Sequence, residues 1–388
     1  MDMGKTLDYL ERSKPLPINV RLHREVRFSH RPFFKIVPHA IERLKSLSVD
    51  SGNMQEVVPH LSSPAPFLEE LSVRDCGGAP RRSPILPSAL FNGDLSMLRK
   101  LYLEYVVTEL PWRNMVNLTT LTLVNVSQPS LKRLLDFFEC APCLREVELH
   151  SVSLSYDAQD RRLLSLGSLK SMCINGCGQP SLLLDHLLIP VGVRLEVEVV
   201  LPIPSIGSRP QFFDNLRNLP DFTTIKLLSC GTLHSCIEFS GPNGQVIISL
   251  NVFRTDTPCL VLESLVHFDT SKTERLEIKY GISPPCDTPH RTLLPMTDLR
   301  SLVLDRYGQP HAFISALDPS TSPSGVMVCP KLEELTIESD EVIDIKRVIA
   351  MAEARALRGA KLKLVRIVGR DKLGEIDVLE LKKHASRV

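Results

Sequence analysis

The amino-acid sequence predicts an α/β solenoid, with a curved parallel sheet on its concave face and helices and turns on its convex face. Three observations carry that expectation. The apolar pattern L-x-x-L-x-L recurs along nearly the whole chain, its copies are separated by helix-like or turn-like returns, and within the regular runs their spacing averages about 27 residues, inside the roughly 20 to 29 of a stacked strand-and-return unit. Within one copy the second and third apolar residues are two apart and share one face of a short strand, while the first packs beneath from the preceding turn. A single copy cannot bury its apolar edge, so neighbours must stack into a continuous core.

The first 40 residues are expected to cap the array, and residues 41–189 carry regular units. These are Leu44/Leu47/Val49, Leu68/Leu71/Val73, Leu98/Leu101/Leu103, Leu118/Leu121/Leu123, Leu144/Val147/Leu149 and Leu169/Met172/Ile174. In QPSLKRLLDFFECAP, Leu131, Leu134, Leu135 and Phe138 fall at helical spacing, with Ser130 as N-cap and Pro142 as stop. Residues 190–270 depart from the period. RLEVEVVLPIP offers a strand around Leu195 to Val199, Phe222/Ile225/Leu227 is one further copy, and CIEFSGPNGQVIISLNVF predicts two strands about a tight GPNG turn, a hairpin signal. Regular units return over 271–388 as Thr273/Leu276/Ile278, Leu299/Leu302/Leu304, Leu332/Leu335/Ile337 and Leu362/Val365/Ile367. The helix predicted in DIKRVIAMAEARALRG puts Ile345, Val348, Ile349 and Ala352 on one face and Gly359 past its end, ahead of a C-terminal cap. Such units are leucine-rich repeats, and the expectation is one solenoid domain over 1–388.

Composition narrows the function. Lys plus Arg number 46 against 45 Asp plus Glu, so no global field draws nucleic acid or an anionic membrane. The N-terminal MDMGKTLDYLERSKP lacks the apolar core of a secretory signal, and no stretch reaches the ~18 apolar residues of a membrane span. The expected location is intracellular, cytoplasmic or nuclear. There the ten cysteines are expected as free thiols acting as small hydrophobes, and the sequons at Asn117 and Asn125 have no consequence.

The chemistry-bearing motifs are few. Cys140-Ala-Pro-Cys143 follows a helix and precedes a strand, the reverse of a redox motif, and its nearest partners, Cys173 and Cys177, are spaced by three intervening residues. A Cys140 or Cys143 nucleophile with His150 lacks an orienting third group. Walker, Rossmann, His-Glu-x-x-His and Gly-x-Ser-x-Gly motifs do not occur. No catalytic, cofactor-binding or metal-ligating residue is expected.

The concave column remains. Residues between the apolar positions point away from the core: Ser48, Ser72, Tyr102, Thr122, Glu148 and Cys173 in the first half, Lys226, Glu277, Val303, Thr336 and Arg366 in the second. Its mixed polarity suits a protein partner better than a nucleic acid, which takes a single-sign groove with interleaved aromatics. Lys100, Tyr102, Glu104, Glu148 and His150 are the expected contact residues, with Tyr105 beside them, because tyrosine is enriched among binding anchors; against this, exposed tyrosines are also good strand formers.

The phrases LERSKPLPINV, FLEELSV, LPSALFNGD, LRKLYLE, TELPWRNMVNLTTLTL, LLDFFECAP and FSGPNG resemble the leucine-rich region of fungal, basidiomycete-type F-box proteins, nearly end to end. The resemblance implies a non-catalytic receptor whose repeats hold the substrate of a cullin-RING ubiquitin ligase while an N-terminal F-box docks a Skp-type adaptor. Leu7, Leu10, Ser13, Pro15 and Pro17 match the helix-to-strand junction that follows the F-box, and nothing before Leu7 matches the F-box itself. The expectation is a chain that begins where the F-box ends, by an internal methionine or by loss of the module, with adaptor binding only where an F-box lies upstream. Two other readings stand beside it: a stand-alone scaffold or decayed paralogue, and a GTPase-activating regulator of the Ran type, against which the mixed repeat lengths speak.

Overall fold

The computed structural model describes residues 3–22, 40–51, 54–76, 84–87, 90–108, 114–126, 130–152, 154–155, 162–177, 180–201, 222–229, 234–242, 244–252, 262, 265, 268–279, 288–305, 310–321, 326–339, 342–369 and 374–388. The fold is mixed α/β, dominated by parallel strand pairing. It divides into two compact units, Met1–Pro190 and Val191–Val388; the division falls where the regular pattern of the sequence gives way.

In the first unit, strands β1 (Ile18–Leu22), β2 (Leu44–Ser51), β3 (Glu70–Asp75), β4 (Lys100–Glu104), β5 (Thr120–Val124), β6 (Glu146–His150) and β7 (Ser171–Asn175) pair in chain order, all parallel. Register aligns the apolar positions into two rows. One runs Leu47, Leu71, Leu101, Leu121, Val147 and Met172, the other Val49, Val73, Leu103, Leu123, Leu149 and Ile174, each residue at most 1% exposed. A one-residue slip would move every one of these side chains to the opposite face, so burial itself holds the register.

The same backbone joint recurs at both ends of the strands. At the start, one carbonyl accepts from two successive N–H groups of the next strand: Arg99 from Thr119 and Thr120, Thr119 from Arg145 and Glu146, Arg145 from Lys170 and Ser171. At the end, Tyr105, Asn125, Ser151 and Gly176 take left-handed φ values of 53°, 50°, 52° and 63°, and the first three donate to the carbonyls of Val124, His150 and Asn175. A third recurrence lies before each strand, where Leu68, Leu98, Leu118, Leu144 and Leu169 donate to Ala65, Leu95, Met115, Ala141 and Leu166. These acceptors are buried apolar residues, so the unit carries one more apolar position than L-x-x-L-x-L shows.

Returns are helical where the apolar spacing predicts it. Helix α1 (Met3–Arg12) precedes β1, and Arg43 ties its end to β2 by donating to the carbonyls of Leu10, Ser13 and Leu16 at 2.7 to 3.1 Å. Helix α2 (Leu131–Cys140) starts at Ser130, whose hydroxyl accepts from the Arg133 N–H, and ends ahead of Pro142, as its sequence predicts. Leu131, Leu134, Leu135, Phe137 and Phe138 are its buried side.

The second unit contains the predicted hairpin and gives it a role. Strands β8 (Arg194–Leu201), β9 (Thr224–Ser229), β10 (His234–Gly241), β11 (Gly244–Val252), β12 (Arg275–Lys279), β13 (Ser301–Asp305), β14 (Glu334–Glu338), β15 (Leu362–Val368) and β16 (Ala385–Arg387) are ordered β8-β11-β10-β9-β12-β13-β14-β15-β16. The chain passes from β8 to β9, returns through the antiparallel β10 and β11, and leaves β11 parallel to β8 and β9 parallel to β12. Among the described strands of this unit β10 alone runs against the others. The apolar row nevertheless continues unbroken through Leu195, Val246, Phe239, Ile225, Leu276, Leu302, Leu335 and Val365. Helices α3 (Thr288–Leu293), α4 (His311–Leu317), α5 (Ile345–Leu357) and α6 (Glu375–His384) pack in sequence against one another.

Helix α5 carries the sharpest departure from its predicted face. Asp344 caps it by accepting from the Arg347 N–H, and Gly359, the predicted end, follows it at φ 81°. Its buried residues are Val348, Met351, Ala352 and Arg355, whereas Ile345 and Ile349 are half-buried. The fully buried Arg355 donates to the carbonyls of Val328 (2.9 Å), Cys329 (2.7 Å) and Leu317 (3.4 Å). The face therefore turns toward a guanidinium that satisfies loop carbonyls. No described helix is long and apolar enough to cross a membrane.

Candidate functional site

The face opposite the apolar rows is polar, and its register is the one the sequence predicts. In the first unit Arg21, Ser48, Ser72, Tyr102, Thr122, Glu148 and Cys173 align across seven strands. In the second, Lys226, Glu277, Val303, Thr336 and Arg366 align across five.

The expected contact residues divide into two groups with β5 between them. On β4, Tyr102 donates its phenol to Glu104 Oε2 at 2.5 Å, and the same oxygen takes Arg74 Nε at 2.9 Å. Glu104 is only 6% exposed, so it enters as the support that holds Tyr102 and Arg74, not as an open contact. Burial, then the hydrogen bond to Glu104, pushes the Tyr102 phenol up to about 12. Lys100 pairs with Glu70 across the β3–β4 ladder at 2.8 Å, which raises the ammonium above the ordinary lysine value. On β6, Glu148 accepts from Thr122 at 3.2 Å and lies 3.8 Å from His150 Nε2. Thr122 thus joins the two groups in one row, while His150 stands across Val124 from Glu104. Tyr105 is 40% exposed at the left-handed corner after β4.

The first unit also holds a hollow of about 680 Å³ over the outward faces of β1 to β5. Ser46, Ser48 and Ser72 floor it, and Arg21, Lys45, Glu70, Lys100 and Tyr102 rise around them. The cause is side-chain size: Ser46 and Ser48 on β2 and Ser72 on β3 are small, and the longer Arg21 on β1, Glu70 on β3 and Lys100 and Tyr102 on β4 flank them. Lys100 and Tyr102 thus line this hollow, and Glu148 and His150 stand beyond it. Ser48 and Ser72 stand in the outward column that the sequence predicts, whereas Arg21 and Ser46 were not singled out; the signal was small outward residues on consecutive strands between long ones.

No family model matches the chain, and no curated protein matches it.

The remaining chemistry is sparse. Cys140 ends α2 half-buried, and Cys143 is exposed in the turn into β6. Cys177 and Cys329 are buried thiols whose titration burial pushes up, Cys329 to about 12. Among the described residues no group of three or more His, Cys, Asp or Glu side chains is placed to hold a metal ion. What the arrangement offers is a broad polar hollow with hydroxyls below, cations at the rim and one braced tyrosine.

Proposed function

We propose that the chain is a non-catalytic protein-recognition module, a leucine-rich-repeat solenoid that reads its partner with the outward face of the sheet in the first unit. The observation that carries this reading is the hollow over β1 to β5, where outward side chains of mixed polarity are set in strand register. A surface of this kind works by shape and hydrogen-bond complementarity: the pre-formed sheet fixes side-chain positions, so little is lost in ordering them on binding. Tyr102 is the natural anchor, a large ring with its phenol already braced.

The resemblance of the sequence to F-box receptors supports substrate recognition for a ubiquitin ligase as the setting, with a Skp-type adaptor as second partner where an F-box lies upstream. No nucleic acid and no membrane is assigned to this face, and the working location is cytoplasmic or nuclear.

A photo-activated cross-linking residue at Ser72, with the same residue at Lys132 on α2 as control, tests recognition in cells. Specific capture of one protein from Ser72 and not from Lys132 is the expected result, and that protein should persist longer when the chain is depleted. Equal capture from both positions contradicts recognition by this face. Capture at Ser72 with an unchanged partner lifetime favours a stand-alone scaffold.

A further inference from the structure

The hollow has a chemical bias beyond general polarity. Among the described residues its lining holds three cations, Arg21, Lys45 and Lys100, against one carboxylate, Glu70. Glu70 is held by Lys100 at 2.8 Å, and Lys45 leans on Glu69 at 3.8 Å. Arg21 is exposed on β1 and, among the described residues, has no carboxylate partner. The hydroxyls of Ser46, Ser48 and Ser72 likewise bond to no other described residue. Arg21, Ser48 and Ser72 lie in a single register row, with Ser46 one position along the neighbouring row. Among the described residues, one uncompensated guanidinium and three uncommitted hydroxyls therefore open into the same space. A guanidinium presents a planar fork of donors matched to a carboxylate or phosphate, and hydroxyls supply further donors to its oxygens.

We infer that the hollow receives an acidic segment of a protein partner, seated with a carboxylate on Arg21 and running across the serine floor toward Tyr102. Size decides for a segment over a single anion. The span from β1 to β4 is three strand spacings, about 14 Å, or about four residues of extended chain, and a volume near 680 Å³ holds several side chains. Lys45 and Lys100 sit along this path, each able to exchange its present carboxylate for one from the partner. The chain's net charge of +1 makes this a local preference that acts at close range, unlike the long-range field of a nucleic-acid binder.

The inference rests on the recognition reading above, and the test keeps the two apart. Fluorescence anisotropy of short labelled peptides of alternating Glu and Ser, Gln and Ser, or Lys and Ser is measured against the full chain at low and physiological salt. The Glu peptide should bind at least about tenfold more tightly than the Gln peptide, with the difference shrinking as salt rises. Arg21→Glu should remove the preference, Arg21→Lys should keep part of it, and Lys363→Glu in the second unit should leave it intact. Arg21 is exposed on β1, so unchanged melting of these variants will show that the fold is not at issue. Equal binding of the Glu and Gln peptides, or a preference indifferent to Arg21→Glu, overturns the inference, as does tighter binding of a single-stranded oligonucleotide. If the Glu preference is missing while Ser72 still captures a protein, only the acidic character falls. If Ser72 captures nothing either, the recognition reading falls with it.

Discussion

At the residue scale, two buried polar groups do work that the apolar pattern does not describe. Glu104 is held beneath the outward face by Tyr102 and Arg74, and in return fixes the ring that lines the hollow. The Tyr102 phenol is raised from its ordinary value near 10 to about 12 by burial and then by Glu104. A raised folded pKa on a neutral acid contributes stability that is whole below about pH 10 and is lost as pH rises toward about 12. The difference between near-ultraviolet titrations of the chain and of Tyr102→Phe should therefore place the Tyr102 ionisation near pH 12; a difference centred near pH 10 would refute the burial of its phenol. Arg355 is the second case. Its guanidinium satisfies the carbonyls of Leu317, Val328 and Cys329 inside the protein, and burial lowers its pKa from the ordinary arginine value. Arg355→Met fills much of the volume but takes the donor from the carbonyls of Leu317 and Val328, while Cys329 keeps the Leu332 N–H, at about 1 to 3 kcal/mol for each group that water cannot reach. Denaturant unfolding should show a loss of about 2 to 4 kcal/mol, and a neutral result would mean that water replaces the donor.

At the element scale, the irregular zone is held by a close backbone approach. Gly244 opens β11 at φ 141°, and a Cβ there would come within 2.9 Å of the Val193 carbonyl oxygen. The GPNG turn is thus set by its neighbour β8 as well as by its own hairpin. Gly244→Ala must push β11 away from Val193, and its expected cost is about 1 to 3 kcal/mol with faster amide exchange at the start of β11; full stability would contradict the packing. The repeat joints show why some of this was legible and some was not. Strand identity, register, the cap at Ser130, the stop at Gly359 and the hairpin were all written in local spacing. The order in which β9, β10 and β11 enter the sheet was not, because either end of a hairpin can satisfy the same alternation, and only long-range pairing of Val246 with Leu195 chooses. The extra apolar position at Leu95, Met115 and Met296 was hidden by its variety, since Ala65, Ala141 and Cys329 serve it equally well. The burial of Arg355 was not legible for a related reason: apolar periodicity takes no account of an arginine, whereas a cluster of backbone carbonyls makes its burial favourable.

At the scale of the whole molecule, repetition separates stability from recognition. Buried rows run from β2 to β7 and the left-handed joint recurs from β4 to β7, so the outward positions are left to vary without cost to the core. Of the expected contact residues, Lys100 and Tyr102 line the hollow, Glu104 braces it, and Glu148 and His150 flank it through Thr122. The hollow itself was harder to see, because depth comes from small residues on neighbouring strands, which carry no chemical signature when read one repeat at a time. If this face is the recognition surface, filling its floor must abolish binding while the fold survives. The decisive measurement is the affinity of the cross-linked partner, purified, for the wild-type chain, for Ser72→Arg and for Lys132→Glu, each checked for unchanged melting. The account predicts that Ser72→Arg weakens binding at least about tenfold and that Lys132→Glu leaves it unchanged. Full affinity in Ser72→Arg, or a loss confined to Lys132→Glu, would contradict it.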